Sequence, residues 1–203
     1  MRQFTVNDIV RAFNIKGYEL KTGVYEINIF GVRNSDTSAN TFDDVVGLIY
    51  RDEKNNWIIK QYKATTDPGV VYREKPINVK GSAIIVPMQH KKCYTIGLHR
   101  GYKAMQQVSP MTYVRDNNKN KILDFLYKTV GATYIKEVAA TNIHHASKTG
   151  TSVNVDNWSA GCQVIANIQD FNSFMSIIQD SVSIYKHKNV FDYTLFEIED
   201  FNK

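Results

Sequence analysis

Cysteine and proline are scarce in this chain, and no long apolar run occurs. Of 203 residues, two are cysteine and four are proline. Two thiols, Cys93 and Cys162, are too few for a disulfide scaffold, which leaves each as a packed thiol or a nucleophile. No apolar stretch approaches the roughly 20 residues that a membrane-spanning helix needs, so membrane insertion is not expected. The opening Met1-Arg2-Gln3-Phe4-Thr5-Val6-Asn7-Asp8 has neither the apolar core nor the small-residue cleavage site of a secretory signal. A secretory signal is therefore not expected. Excess charge of one sign is small: 25 Lys+Arg against 20 Asp+Glu give +5 and a pI near 9.0. Spread along the chain, it is too diffuse to imply nucleic acid, but it suits an anionic polymer. What is present, 43% hydrophobic and 22% charged residues, argues against a largely disordered chain. The length favours one domain over residues 1–203, and no internal repeat or low-complexity tract divides it.

Residues 5–14 predict a short amphipathic helix. Ile9, Val10 and Phe13 share a face, Thr5 caps it with Asp8 three residues on, and Gly17 ends it. From there to about residue 100, β-branched and aromatic runs predict strands at 24–32, 43–50, 56–62, 81–86 and 94–99. The second and third of these read as a hairpin turning at 52–56. A further strand is expected at 112–115, and a weaker region from 134 leads into Asn142-Ile143-His144. A polar loop at 147–157 precedes a helix from 167 to about 184. Asn167 caps that helix, and Phe171, Phe174, Ile177, Ile178 and Val182 stripe it. Residues 190–198 alternate as a closing strand. The expected fold is mainly β, a β-rich α+β arrangement with one helix at the start and one near the end.

Chemistry concentrates around Cys162, in Trp158-Ser159-Ala160-Gly161-Cys162-Gln163-Val164. A small-Gly-Cys turn between a polar loop and an apolar segment exposes a thiol, and Gly161 allows close approach of a substrate. The N–H groups of Gly161 and Cys162 are candidates for an oxyanion hole. A thiol with an ordinary pKa of about 8.5 needs a neighbouring base or cation to react at neutral pH. His144 and His145 lie 18 and 17 positions upstream, across a loop long enough to return an imidazole to the thiol. Packing alone would also account for the cysteine, and solvent for the histidines.

Ile143-His144, the loop, and Ser159-Ala160-Gly161-Cys162 together resemble the signature of the L,D-transpeptidase catalytic domain, the YkuD-like family. Ser, Gly and Cys match in place. Ala160 stands where that signature has a second histidine, His145 where Gly or Ser is usual, and Val164 where Arg or Asn often follows the cysteine. Lys63-Ala-Thr-Thr-Asp-Pro-Gly69 is similar to the family's Thr-Pro-x-Gly turn in a degenerate form. The resemblance extends over about 43–198. It is nearest to phage-encoded members that carry Ile-Gly-Leu-His-Arg-Gly, Asn-Ile-His and Trp-Ser-Ala-Gly-Cys-Gln. It implies a YkuD-like β-sandwich or barrel and a peptidoglycan substrate. Cys162 would attack a stem-peptide L,D-amide and His144 would act as base, with no cofactor. Transfer to water gives a lysin-like peptidase held in the host cytoplasm until release, or carried in a virion. Transfer to an amine gives a cross-linking transpeptidase. A fold that has lost activity gives a wall-binding or virion module.

Other residues carry weaker expectations. His99 and Arg100, at a strand end, are candidates for binding a substrate carboxylate. Ser159, Trp158 and His145 are candidates for lining the cleft, and strand alternation lets only one of His144 and His145 face the thiol. His90 and His187 fall in lysine-rich stretches and are expected to be solvated. No histidine or cysteine pair has structural-zinc spacing. Asp116, Asn118, Asn120 and Asp124 match calcium-loop positions 1, 3, 5 and 9, but Lys121 and Tyr127 miss the required Gly and acid.

Overall fold

The computed structural model describes residues 2–184 and 189–202. His187 lies outside the described residues. In chain order the elements are α1 (Val6–Lys16), β1 (Asn28–Arg33), β2 (Asp44–Arg51), β3 (Trp57–Thr65), α2 (Val70–Glu74), β4 (Ser82–Ile85), β5 (Gln89–His99) and β6 (Tyr102–Gln107). There follow β7 (Met111–Asp116), β8 (Ile135–Glu137), β9 (Ile143–His145), β10 (Gln163–Ile165), α3 (Ile168–Ile184) and β11 (Phe191–Glu197). Eight strands close into a barrel in the order β1-β11-β5-β6-β9-β10-β3-β2, and β4-β7-β8 form a second, antiparallel sheet. No helix among the described residues is long and apolar enough to cross a membrane.

Local chemistry explains the helices. Thr5 Oγ1 accepts the Asp8 N–H, and the Asp8 carboxylate accepts the Thr5 N–H. At the other end Gly17 takes φ 65°, a left-handed cap that costs glycine little. The buried stripe Ile9, Ala12 and Phe13 packs on Phe30, Val32, Val45 and Phe196, on the outside of β1, β2 and β11. The alternate residues Ile29, Val46, Leu48 and Leu195 join the barrel's interior cluster. The β1 strand is therefore covered on both faces and buried along its whole length, with an apolar centre between Asn28 and Arg33. Asn167 Oδ1 caps α3 by accepting the Gln169 and Asp170 N–H groups, at 2.7 and 3.1 Å. The α3 stripe, Phe171, Phe174 and Ile178, packs into the interior cluster.

Several boundaries differ from expectation. The first strand begins at Asn28, because Gly23 to Glu26 turn back on themselves and Tyr25 takes φ 55°. The β6 strand has no β-branched residue to announce it. A two-residue turn, Arg100 at φ 47° and Gly101 at φ 88°, folds it onto β5. His90 is buried, not solvated. Its Nε2–H donates to Val86 O at 3.0 Å and its Nδ1 accepts the Thr112 N–H at 3.5 Å.

A buried guanidinium ties the barrel to the second sheet. Arg33, at the end of β1, donates to Ile85 O of β4 at 2.7 Å and to Thr66 O at 3.0 Å. It lies 3.0 Å from the buried Asp67 carboxylate. Buried Asp44 accepts the Asn34 and Thr66 N–H groups alongside. Burial pushes the Asp44 and Asp67 carboxyls above the usual range, each further raised by a carboxylate nearby, against the pull of Arg33.

Candidate active site

The parallel neighbours β9 and β10 pair His144 with Val164. Cys162 precedes Val164 by two residues, so alternation places Cys162 on the same side as His144. Ile143 and Ile165 alternate with them and belong to the interior cluster. The shared side therefore faces away from the interior. There Val164, Ala146 and Ala166 pack with Phe42 and Val155, and Trp158 and Cys162 rest against that cluster. His145 turns the other way, stacking on Tyr102 at 4.3 Å and meeting the Phe171 ring at 5.1 Å. Its edge still reaches the cleft that His144 lines.

The turn before Cys162 is fixed from both sides. Gly161 holds φ 125°, and a Cβ there would lie 2.6 Å from Ala83 O, so no other residue fits without displacement. Ser159 is fully buried. Its Oγ accepts the Gly161 N–H at 3.1 Å and donates to Cys162 O at 2.8 Å. From beneath, Gln163 Nε2 donates to Gly161 O at 3.3 Å while its Oε1 accepts from Tyr193 at 2.6 Å. Two expectations change. Ser159 latches the turn from within and does not line a cleft. The Gly161 N–H is already engaged, which leaves the Cys162 N–H, with no partner among the described residues, as the remaining candidate oxyanion donor.

The reactive groups are both neutral at rest. Cys162 is half-buried, and its Sγ is directed to Ala140 O at 3.6 Å. Burial pushes this thiol up to about 11, against the downward pull of the Asn142 N–H and Arg100. No hydrogen bond joins it to His144 among the described residues. His144 is buried, and its Nδ1 lies 2.7 Å from His145 O. Only an N–H can bond a carbonyl oxygen, so the proton sits on Nδ1 and Nε2 keeps its lone pair. Burial, then the positive charge that His99 can carry, pushes His144 down to about 3. The pair is thiol and imidazole, not thiolate and imidazolium, so an attack by this sulfur would need its proton to move in the same step.

Asn142 organises the surroundings, a residue whose role the sequence reading missed. Its Oδ1 accepts the Gln107 N–H at 2.9 Å, so its Nδ2 is the donor to His99 Nδ1 at 3.1 Å. His99 therefore carries its proton on Nε2. The His99 ring lies parallel to His144 at 4.1 Å. Gln107 also accepts the Ala139 and Thr141 N–H groups and donates to Glu137 O, fixing the segment that leads into β9. The available signal was parity: Asn142 and His144 are two apart on one strand edge.

Two clefts flank the turn. One, of about 310 Å³, is lined by His99, Arg100, His144, Lys148 and Trp158 among others, with two fixed cations and no carboxylate. Trp158 both walls this cleft and packs on the outer cluster. The other, of about 330 Å³, is lined by Ala83, Ala140 and Ala160, with Arg115 and Glu137 at its side. Cys93 is fully buried in the core, a packed thiol that burial pushes up to about 12.

The loop at 116–124, the weak calcium candidate, is built around an arginine. The buried Arg73 guanidinium pairs with Asp116 at 2.5 Å and donates to Asn118 Oδ1 at 3.0 Å. Asp116 also accepts the Asn118 and Asp124 N–H groups, Asn120 Oδ1 accepts the Ile122 N–H, and Asp124 accepts from Asn118. Asp116, Asn118, Asn120 and Asp124 thus hold the loop together, and Arg73 already supplies a buried cation to Asp116. No family model, curated protein or solved structure matches the chain.

Proposed function

We propose that this protein is a cysteine-dependent acyl-transfer enzyme that cleaves L,D-amide bonds in peptidoglycan stem peptides, in the manner of a phage lysin. The observation that carries this reading is the shared face of His144 and Cys162, with Nδ1 of the histidine tied to His145 O and Nε2 free. Substrate entry turns the thiol from Ala140 O toward Nε2, a rotation between staggered χ1 wells. Sγ then bonds to the amide carbon as Nε2 takes its proton. The Cys162 N–H stabilises the oxyanion. His144 returns the proton to the leaving amine as the C–N bond breaks. Water attacks the thioester, its proton passing through Nε2, and the acid leaves with the thiol restored. The cationic lining of the first cleft suits the carboxylates of a stem peptide, with His99 Nε2–H and Arg100 as its donors.

A second reading, a wall-binding module without activity, is favoured by the thiol's contact with Ala140 and its high pKa. Purified sacculi incubated with wild type and with Cys162→Ala separate the two. Shortened or uncross-linked stems from wild type alone, read by mass spectrometry of soluble fragments, support cleavage. New cross-links move the protein to the transpeptidase class. Sedimentation with an unchanged wall favours the second reading.

A further inference from the structure

A cavity of about 460 Å³, larger than the clefts that His144 and Ala160 line, opens on the outer face of β1, β2 and β3. Its floor is the buried trio Val32, Phe42 and Val45, and Phe4, Val153 and Ile198 wall it. Three charged side chains line it: Arg2, which donates to Asn202 Oδ1 and Phe201 O, and the opposite pair Asp43 and Lys63. Lys63 pairs directly with Val45 across the hairpin. Asp43 precedes Val45 by two, so Asp43 and Lys63 are diagonal neighbours on one face, about 7–8 Å apart.

The two charges do not meet each other, and neither enters an ion pair among the described residues. Asp43 is half-buried, and Thr41 Oγ1 donates to its Oδ1 at 2.9 Å. Buried Asp67 and Asp116 and half-buried Asp192 each have a cation at ion-pair distance, Arg33, Arg73 and Lys21, whereas Asp43, like its neighbour Asp44, has none among the described residues. Burial and the adjacent Asp44 charge raise the Asp43 carboxyl instead. A half-buried carboxylate without a cation is costly, and a ligand ammonium would relieve that cost. The diagonal separation leaves room for a small group that takes a charge-assisted hydrogen bond at each end.

We propose that this cavity binds a free aliphatic α-amino acid, its ammonium on Asp43, its carboxylate on Lys63 and its side chain on Phe42 and Val45. The site is separate from Cys162 and does not depend on the function proposed above.

The test is a titration of the full chain, followed by amide chemical shifts, with L-leucine, 3-methylbutylamine and 4-methylpentanoate. Leucine is expected to shift amides at 41–45 and 63. Each one-charge analogue should bind at least about tenfold more weakly, as loss of one charge-assisted contact implies. Asp43→Asn should weaken leucine similarly. Lys63→Met, at an exposed side chain where folding is not at stake, should do the same. Absence of shifts at these amides, equal binding by either analogue, or unchanged affinity in Lys63→Met would overturn the proposal.

Discussion

His90 and His144 are both histidines kept neutral by burial, and each holds one defined tautomer. His90 donates from Nε2 to Val86 O and accepts at Nδ1 from Thr112, so a second proton on Nδ1 would oppose the Thr112 N–H. Burial pushes its pKa down to about 4. Below the ordinary value of about 6.5 the unfolded chain takes up a proton that the folded chain refuses, so this contribution is complete above 6.5 and is lost as pH falls. His90→Gln removes that linkage. Between pH 7.5 and 5, wild type should lose about 2 kcal/mol more stability than the variant, measured by urea unfolding at both values. At Cys162 the raised thiol predicts that iodoacetamide labelling of the native protein keeps rising with pH up to about 11. A plateau near the ordinary thiol value of about 8.5 would contradict that.

Elements differ in how openly they announce themselves. Removing the α1 cap with Thr5→Ala should cost about 1 kcal/mol, read as a lower urea midpoint with an unchanged slope. That cap was legible because Thr5, Asp8 and the apolar stripe all lie within one short segment. The β2–β3 hairpin was legible for the same reason, with Asp52 Oδ1 accepting the Lys54 and Asn56 N–H groups at the turn. The β6 strand was not, since Tyr102-Lys-Ala-Met-Gln-Gln107 has no strand composition. It exists because Arg100-Gly101 turns it onto β5 and Met105 meets Ile143 of β9. At the candidate site, the opposite facing of His144 and His145 was readable from alternation, but which of them shares a side with Cys162 was not, because that depends on the β9–β10 register. Nor were the roles of Ser159, Gln163, Asn142 and Gln107. Each depends on a partner brought near only by folding, and a polar residue's partner leaves no mark on local periodicity.

The whole molecule depends on Arg33 joining barrel and second sheet at a point where no solvent can compensate. Arg33→Met leaves Asp44 and Asp67 without their cation, and breaking such a buried pair costs about 3–5 kcal/mol. These carboxyls sit above their unfolded value, so the folded state binds the extra protons, and their burden on stability grows as pH rises through the folded values. The loss in Arg33→Met should therefore be larger at pH 8 than at pH 5 in paired urea melts. The proposed chemistry rests on the same assembly, because His144 on β9 and Cys162, just before β10, come together only once these strands pair. The most direct measurement is the initial rate at which soluble stem fragments leave purified sacculi, for wild type and His144→Gln, with Cys162→Ala as the baseline. The shared-face account predicts that His144→Gln falls to the Cys162→Ala baseline. Retention of the wild-type rate by His144→Gln would contradict it.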